Sequence, residues 1–302
     1  QVAFIFAPLG TAANTATQKY LNAKKVPQLF VVSAASKWND PKNFPWTMSL
    51  AWGPDYYNEA RFHVRHLLKE KSNPKIAVLY QNDDGGKDLL RGLKDEAGAR
   101  GAKMLAEASF EVSDPTVDSQ VVSLQASGAD AFFIYSLTPK ACAQAIRKAY
   151  DMGWRPLRYL FSGCLHPEAV LRPAGLDKSV GLIATDAIKT LTAQTQSDPA
   201  MIEYLAFMKQ YNPSAAVEDG YNIYGYALGK TIEEVLRRAG DDLTRENIMR
   251  VAASFNGWRN PMYHDGITIN TSPTDYATVR QAYLARFDGK NWVRISELLD
   301  VK

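Results

Sequence analysis

The residues of this chain that could do chemistry sit in turns that follow apolar runs. In order these turns read PLGTAANT (8–15), VSAASKW (32–38), YQNDDGGKD (80–88), YSLTPKA (135–141) and SGCLHPE (162–168). Each joins small residues, which let a ligand approach the backbone, to a hydroxyl or amide and to a helix start whose first N–H groups suit an anion. Thr11, Ser33 and Ser36 are hydroxyl donors beside exposed amides, the chemistry of a carboxylate seat that needs no buried countercharge. Taken singly, Ser and Thr are also the ordinary caps of helices. The case for a site is their convergence on one sheet edge.

Covalent and metal chemistry find less support. Gly225-x-x-x-Gly229-Lys230-Thr231 is one residue short of a phosphate-binding loop and falls inside a helical pattern instead of after a strand. No GxGxxG follows a strand and no GxSxG elbow is present. The 82–88 stretch lacks the alternating ligands and terminal Glu of a calcium loop, and Asp83 and Asp84 read as caps of the next helix. His63 and His66 share a helix face without a third ligand, which reads as exposed helix histidines and not as a metal site. His166, in the 162–168 turn, is either a ligand contact or a helix-start residue. No metal, no cofactor and no catalytic residue is expected.

Aromatic residues gather near the same turns. Trp38 follows Ser36, while Trp52, Tyr56 and Tyr57 surround Gly53-Pro54-Asp55, a crossing point between lobes. Rings with polar tips suit walls that close on a small ligand. Trp46 and Trp154 read instead as core residues.

The elements that must position these groups follow from the apolar pattern. VAFIF, QLFVV, KIAVLY, ADAFFIY, RYLFSG and GLIAT read as short buried strands, with residues 2–7 a fully buried one. Helical spacing fills 12–24, 55–70, 86–100, 117–127 and 139–152, and strand alternating with helix means parallel sheets flanked by helices. Beyond 190 the pattern gives helices near 198–210, 217–239 and 244–254, the last opened by Thr244-x-x-Asn247. Strands are expected at GITIN, QAYLARF and WVRI, the last two joined by an Asp288-Gly289 turn. Two α/β lobes fit these strands better than one sheet.

At 302 residues, 46% hydrophobic and 22% charged, the chain can bury a full core. A net charge of +3 with both signs interspersed carries no nucleic-acid or membrane-surface footprint. No apolar stretch is long enough to insert in a membrane. Only Cys142 and Cys164 occur, the first in a helix's opening turn and the second just past the next strand, on the same edge of a βαβ unit. Two buried free thiols are the expected state, and a bridge is the alternative.

The succession PLGT, NxKKVPxLF, SAASKWxDP, FPWTM, YxxEA, IAVLYQNDDxGKD, DPTVDSQ, SGADA, GWRP, DDLTRENIM and GITINTSPTDY resembles the substrate-binding proteins of branched-chain amino-acid type ABC importers, which are type I periplasmic binding proteins. The resemblance runs along essentially the whole chain. It implies two Rossmann-like lobes, parallel sheets flanked by helices, joined by a three-crossing hinge: 1–54 with 187–277, and 55–186 with 278–302. Relatives have further β-α units before the strand equivalent to 2–7, so the chain looks like one lacking an N-terminal segment and leaving that strand as an edge.

Carried over by position, the resemblance places the ligand's carboxylate at Gly10, Thr11 and Ala12 and at Ser33, Ala34, Ala35 and Ser36. Asp55 and Tyr56 follow at the crossing, with Trp38 near. Asp84 with Gly85, Ser136 with Leu137, and Gly163 with Cys164 form the far wall. Relatives that bind aliphatic amino acids commonly place tyrosines near Gly85 and Leu137 and an acid near Cys164 to hold the ammonium, and this chain has none of the three. A buried ammonium without an anionic partner is costly, so the resemblance implies an aromatic or otherwise apolar carboxylate. It also implies a periplasmic protein that catalyses nothing, traps its ligand by hinge closure near 52–55, 184–188 and the 270s, and hands it to a membrane permease. A sensory domain of the same fold and a doubly wound transferase are the alternatives.

Overall fold

The computed structural model describes residues 2–50 and 52–301. Apolar runs pair in parallel because helices intervene between them, and the pairing divides the chain into two compact units. Unit 1 comprises Gln1–Asp55, Ala187–Gln281 and Asp300–Lys302; unit 2 comprises Tyr56–Asp186 and Ala282–Leu299.

In unit 1 the strands β1 (Ile5–Phe6), β2 (Gln28–Val31) and β3 (Thr47–Ser49) form a parallel three-stranded sheet in that order. Helix α1 (Thr11–Ala23) makes the crossover from β1 to β2. The middle strand is buried throughout, with Leu29, Phe30 and Val31 fully enclosed. The first strand differs from its expected form. Only two residues pair, both half-buried, and Val2 and Ala3 are exposed, because β1 has a neighbour on one side alone. Arg245 holds that segment, its guanidinium donating to the carbonyls of Val2, Ala3, Lys24 and Lys25.

Unit 2 is built on the larger sheet. Helices α2 (Tyr56–Glu70), α3 (Asp84–Ala99), α4 (Asp118–Ala126) and α5 (Pro139–Asp151) alternate with β4 (Lys75–Gln81), β5 (Lys103–Phe110), β6 (Ala131–Tyr135) and β7 (Leu157–Leu160). Short helices α6 (Arg172–Ala174) and α7 (Leu176–Ser179) lead to β8 (Ile183–Asp186). The chain closes with β9 (Gln281–Phe287), β10 (Trp292–Arg294) and β11 (Leu299–Asp300). The order is β10-β9-β8-β7-β6-β4-β5, with β11 also against β9; β4 to β8 run parallel and β9 and β10 antiparallel. The strands β9 and β10 pair Phe287 with Trp292, and the loop is closed by the Asp288 carboxylate accepting from the amides of Lys290 and Asn291.

Unit 1 also contains α8 (Pro199–Tyr211), α9 (Gly220–Ala239) and α10 (Arg245–Ala252). Asp198, Asp219 and Thr244 cap them, accepting from Ala200, Tyr221 and Asn247. The Gly225 to Thr231 stretch lies within α9, where Lys230 pairs with Glu203 and Glu233. The GITIN stretch is not a strand. Ile269 makes single bridges to Trp258 and Val279, and the alternation that suggested a strand serves only to bury Ile267 and Ile269. Of the two tryptophans read as core, Trp154 is buried against Phe132, whereas Trp46 is only half-buried at the entry to β3.

His63 corrects the reading of its helix face. It is fully buried, with Nδ1 3.2 Å from the Tyr135 hydroxyl and Nε2 3.0 Å from that of Thr185. Apolar residues around it carry α2 onto the sheet, and the imidazole satisfies two buried hydroxyls at once. Burial holds its pKa down at about 3. Above pH 6.5 the ring is neutral folded and unfolded; below, the unfolded chain takes up a proton that the folded one refuses. Unfolding free energy should therefore fall as pH drops below 6.5, the slope from this group approaching about 1.4 kcal/mol per pH unit near pH 5. Urea unfolding followed by circular dichroism should show that slope reduced by this amount in His63→Gln, and an unchanged slope would assign the acid sensitivity elsewhere.

Candidate functional site

Two turns meet in unit 1. Beyond the paired residues of β1 and β2 the backbones stay bonded, with Ala7 N to Leu29 O at 2.9 Å, Val32 N to Pro8 O at 3.0 Å and Gly10 N to Val32 O at 3.2 Å. This register sets the Gly10-Thr11-Ala12 turn beside the Ser33-Ala34-Ala35-Ser36 turn. Gly10 precedes α1 with φ 98° and ψ 141°, a conformation that favours glycine, and no side chain caps the helix. Asn14, buried in α1, donates to the carbonyls of Pro8 at 2.9 Å and Gly10 at 2.6 Å, and its Oδ1 accepts from Gln28 at 2.7 Å. Those bonds fix the loop ahead of Thr11.

At the junction the Thr11 and Ser33 hydroxyls lie 2.7 Å apart, both residues buried. The Trp38 indole N–H donates to Ser33 Oγ at 2.9 Å, and the Ala35 amide reaches it at 3.4 Å. Ala34 and Ala35 are buried, Ser36 is half-buried at the start of the Ser36–Trp38 turn, and Ala12 is exposed. Lys37 places its ammonium 5.4 Å from the Trp38 ring and 3.0 Å from Thr15 Oγ1. Asp55, half-buried, ends the first segment of unit 1.

The remaining predicted residues belong to unit 2, at the carboxyl ends of the adjacent strands β4, β6 and β7. Gln81, buried, ties two of these turns: its Oε1 accepts from the Leu137 amide at 3.2 Å and its Nε2 donates to Asp83 at 2.7 Å. Asp83, not Asp84, caps α3 by accepting from Gly86; Asp84 is exposed and Gly85 buried. The Ser136 hydroxyl is spent locally, donating to the Thr138 carbonyl at 3.0 Å and accepting from its amide at 3.1 Å.

The third turn is the most firmly held. Tyr56 packs edge-on to Phe161 at 5.2 Å, and a side chain at Gly163 would strike the Phe161 ring. Glu59, almost fully buried one helical turn from Tyr56, accepts from Ser162 N at 2.7 Å and Ser162 Oγ at 2.8 Å. A carboxylate thus does reach this turn, from α2, and both its oxygens serve Ser162. Cys164 is bonded to Cys142, which overturns the expectation of two free thiols: their Cα atoms lie 6.5 Å apart, and α5 begins beside the turn that follows β7. His166 is buried before the Pro167–Leu171 turn without capping it, and burial lowers its pKa to about 4.

Sequence reasoning missed Asn14, Gln28, Glu59 and Gln81, the buried polar side chains that hold these turns. Their signal was a polar residue next to or inside an apolar run, which by itself names no partner. Elsewhere in unit 1 an open groove of about 640 Å³ between α8 and α9, lined by Phe207, Tyr211, Tyr221 and Tyr226, shares no residue with either set of turns. Among the described residues no group of three or more His, Cys, Asp or Glu side chains could hold a metal ion, and no helix is long and apolar enough to cross a membrane.

Residues 1–291 match the periplasmic binding protein family. No curated protein sequence matches the chain. Among solved structures, a branched-chain amino acid ABC transporter protein from Thermus thermophilus with bound valine superposes with a TM-score of 0.85 at 15% identity, over 98% of this chain and 78% of that one. A fatty acid ABC transporter substrate-binding protein from Thermomonospora curvata gives 0.76 at 20% identity, over 97% and 74%. A solute-binding protein of an ABC transporter from R. palustris, in complex with 4-hydroxybenzoate, gives 0.77 at 16% identity, over 99% and 78%.

The bridge between Cys142 and Cys164 closes a loop of sequence separation 22 around β7. Replacing both cysteines by alanine should cost about 3 kcal/mol of unfolding free energy by the chain-entropy estimate. Denaturant unfolding under non-reducing conditions measures it, and a loss below about 1 kcal/mol would mean that Tyr56 and Glu59 alone hold the turn.

Proposed function

We propose a function from one premise: the chain belongs to the periplasmic binding protein family, and its role is to capture a small carboxylate-bearing molecule for an ABC permease, without chemical conversion. The observation that carries the reading is the Thr11 and Ser33 hydroxyl pair at the uncapped start of α1. Neutral donors joined to a helix N-terminus suit a carboxylate. The three structural neighbours described above are named for valine, a fatty acid and 4-hydroxybenzoate, molecules that share a carboxylate and little else.

On this reading Gly10, Thr11 and Ala12 with Ser33 to Ser36 receive the carboxylate, and the turns at Gly85, Leu137 and Gly163 select the remainder of the ligand. Glu59 is engaged by Ser162, and no tyrosine stands at Gly85 or Leu137. That arrangement favours an aromatic or apolar acid over a plain amino acid. The periplasm is the proposed location, and hinge closure the proposed trigger for the permease.

Thermal unfolding with L-valine, 4-hydroxybenzoate, benzoate and octanoate, each against its carboxamide, tests the reading. A bound acid at a hundred times its Kd should raise Tm by about 4 °C. Thr11→Val with Ser36→Ala should abolish the shift while the free protein still unfolds in a cooperative transition. Equal shifts from acids and amides, or an undiminished shift in the double variant, would overturn the carboxylate seat.

A further inference from the structure

The Thr11 and Ser33 contact leaves open which hydroxyl donates, and the surroundings decide it. Ser33 Oγ has one proton and two lone pairs. The Trp38 indole can only donate, and at 2.9 Å it takes one lone pair; the Ala35 amide, another obligate donor, addresses the second. The Ser33 proton then has one acceptor left, Thr11 Oγ1 at 2.7 Å. Thr11 accordingly receives, and its own proton has no acceptor among the described residues although the residue is buried.

We propose that Trp38 is a positioning residue: its indole N–H orients a Trp38 to Ser33 to Thr11 hydroxyl relay, so that Thr11 presents its own proton to the ligand. This deepens the reading under Proposed function and rests on it. An unoriented hydroxyl pair could turn to donate or accept and would bind a carboxylate and a carboxamide with little preference. A relay pinned at its far end by an obligate donor keeps the Thr11 proton aimed at the ligand, where a charged carboxylate oxygen accepts it more strongly than the neutral oxygen of an amide. Successive bonds of the same sense also polarise one another, which strengthens the terminal donor toward an anion. The pin is rigid, because Trp38 is fully buried and the Lys37 ammonium lies over its ring.

The test uses the full chain and three matched pairs: 4-hydroxybenzoate with 4-hydroxybenzamide, octanoate with octanamide, and L-valine with L-valinamide. Calorimetric Kd values are measured for wild type, Trp38→Phe, Thr11→Val and the double variant. Trp38→Phe keeps a buried aromatic ring, smaller than the indole, and removes the N–H. It should weaken the acid about tenfold and leave the amide within about twofold, so that acid-over-amide selectivity drops about tenfold. The double variant should bind the acid no more weakly than Thr11→Val alone, since the relay acts through Thr11. Ser33→Ala, which cuts the relay at its centre, should reproduce the selectivity loss and is the second arm should Trp38→Phe fold poorly. With nitrogen-15 labelled tryptophan, the Trp38 indole proton should exchange slowly in wild type and faster in Ser33→Ala.

Equal weakening of acid and amide in Trp38→Phe, additive losses in the double variant, or unchanged selectivity would overturn the relay while leaving the seat in place. Absence of acid binding by wild type, or an unaffected Thr11→Val, would instead overturn the proposed function and the relay with it.

Discussion

Parallel strand pairing is the constraint from which the rest follows. Two adjacent parallel strands cannot be joined by a tight turn, so the chain must cross the sheet by a helix before it can pair again. Every such crossover leaves its strand at the carboxyl end, and the turns there gather on one edge. In unit 1 the turns after β1 and β2 are brought side by side by the bridge between Leu9 and Val32. In unit 2 those after β4, β6 and β7 are neighbours because the strands are. Within each unit, turns far apart in the sequence are thereby grouped by strand pairing alone.

Grouping alone does not give a rigid edge, and the structure supplies rigidity with buried polar side chains. Asn14 holds the Pro8 and Gly10 carbonyls, Gln81 holds the Leu137 amide, and Glu59 holds Ser162. Gln81 and Glu59 occupy amides of their turns, which buried without a partner would cost about 1–3 kcal/mol apiece, while Asn14 adds a second bond to carbonyls that already accept backbone amides. The same side chains limit what the turns can offer. The Ser136 hydroxyl and both oxygens of Glu59 are engaged within unit 2.

The legible part of the fold was the part where burial follows period. The runs 28–32, 75–80 and 129–135 are apolar on both sheet faces, as central parallel strands must be, and they became β2, β4 and β6. The strand β5 escaped notice because it lies at the sheet's edge with most side chains exposed or half-buried, and Lys103, Glu107 and Ser109 break the apolar pattern. The strand β3 has only three residues, too few for a period. At the site, the turns were legible from small residues and hydroxyls, while their supports were not. Glu59 and Ser162 lie 103 positions apart, and no local pattern connects them. The cysteines show the intermediate case: topology put them on one edge, but pairing depends on the separation of two backbones, which only the packed turn determines.

Strain in the two strands that lead to the seat bears on how it works. Ala7 has φ 50° and Phe30 φ 54°, left-handed values that a residue with a side chain adopts at a cost of about 1–2 kcal/mol. Phe30 lies where the pairing of β2 with β3 shifts register, three residues before Ser33, and Ala7 lies three before Gly10. Such conformations persist only when the surroundings over-determine them. Here the Phe30 ring is fully buried edge-on to Phe6 at 6.4 Å, and the Ala7 amide is bonded to Leu29. Both residues lie in the segments that lead to the hydroxyl pair, which backbone bonds between those segments hold side by side. A carboxylate seat of the kind proposed would be formed before its ligand arrives, with little ordering left to be done on binding.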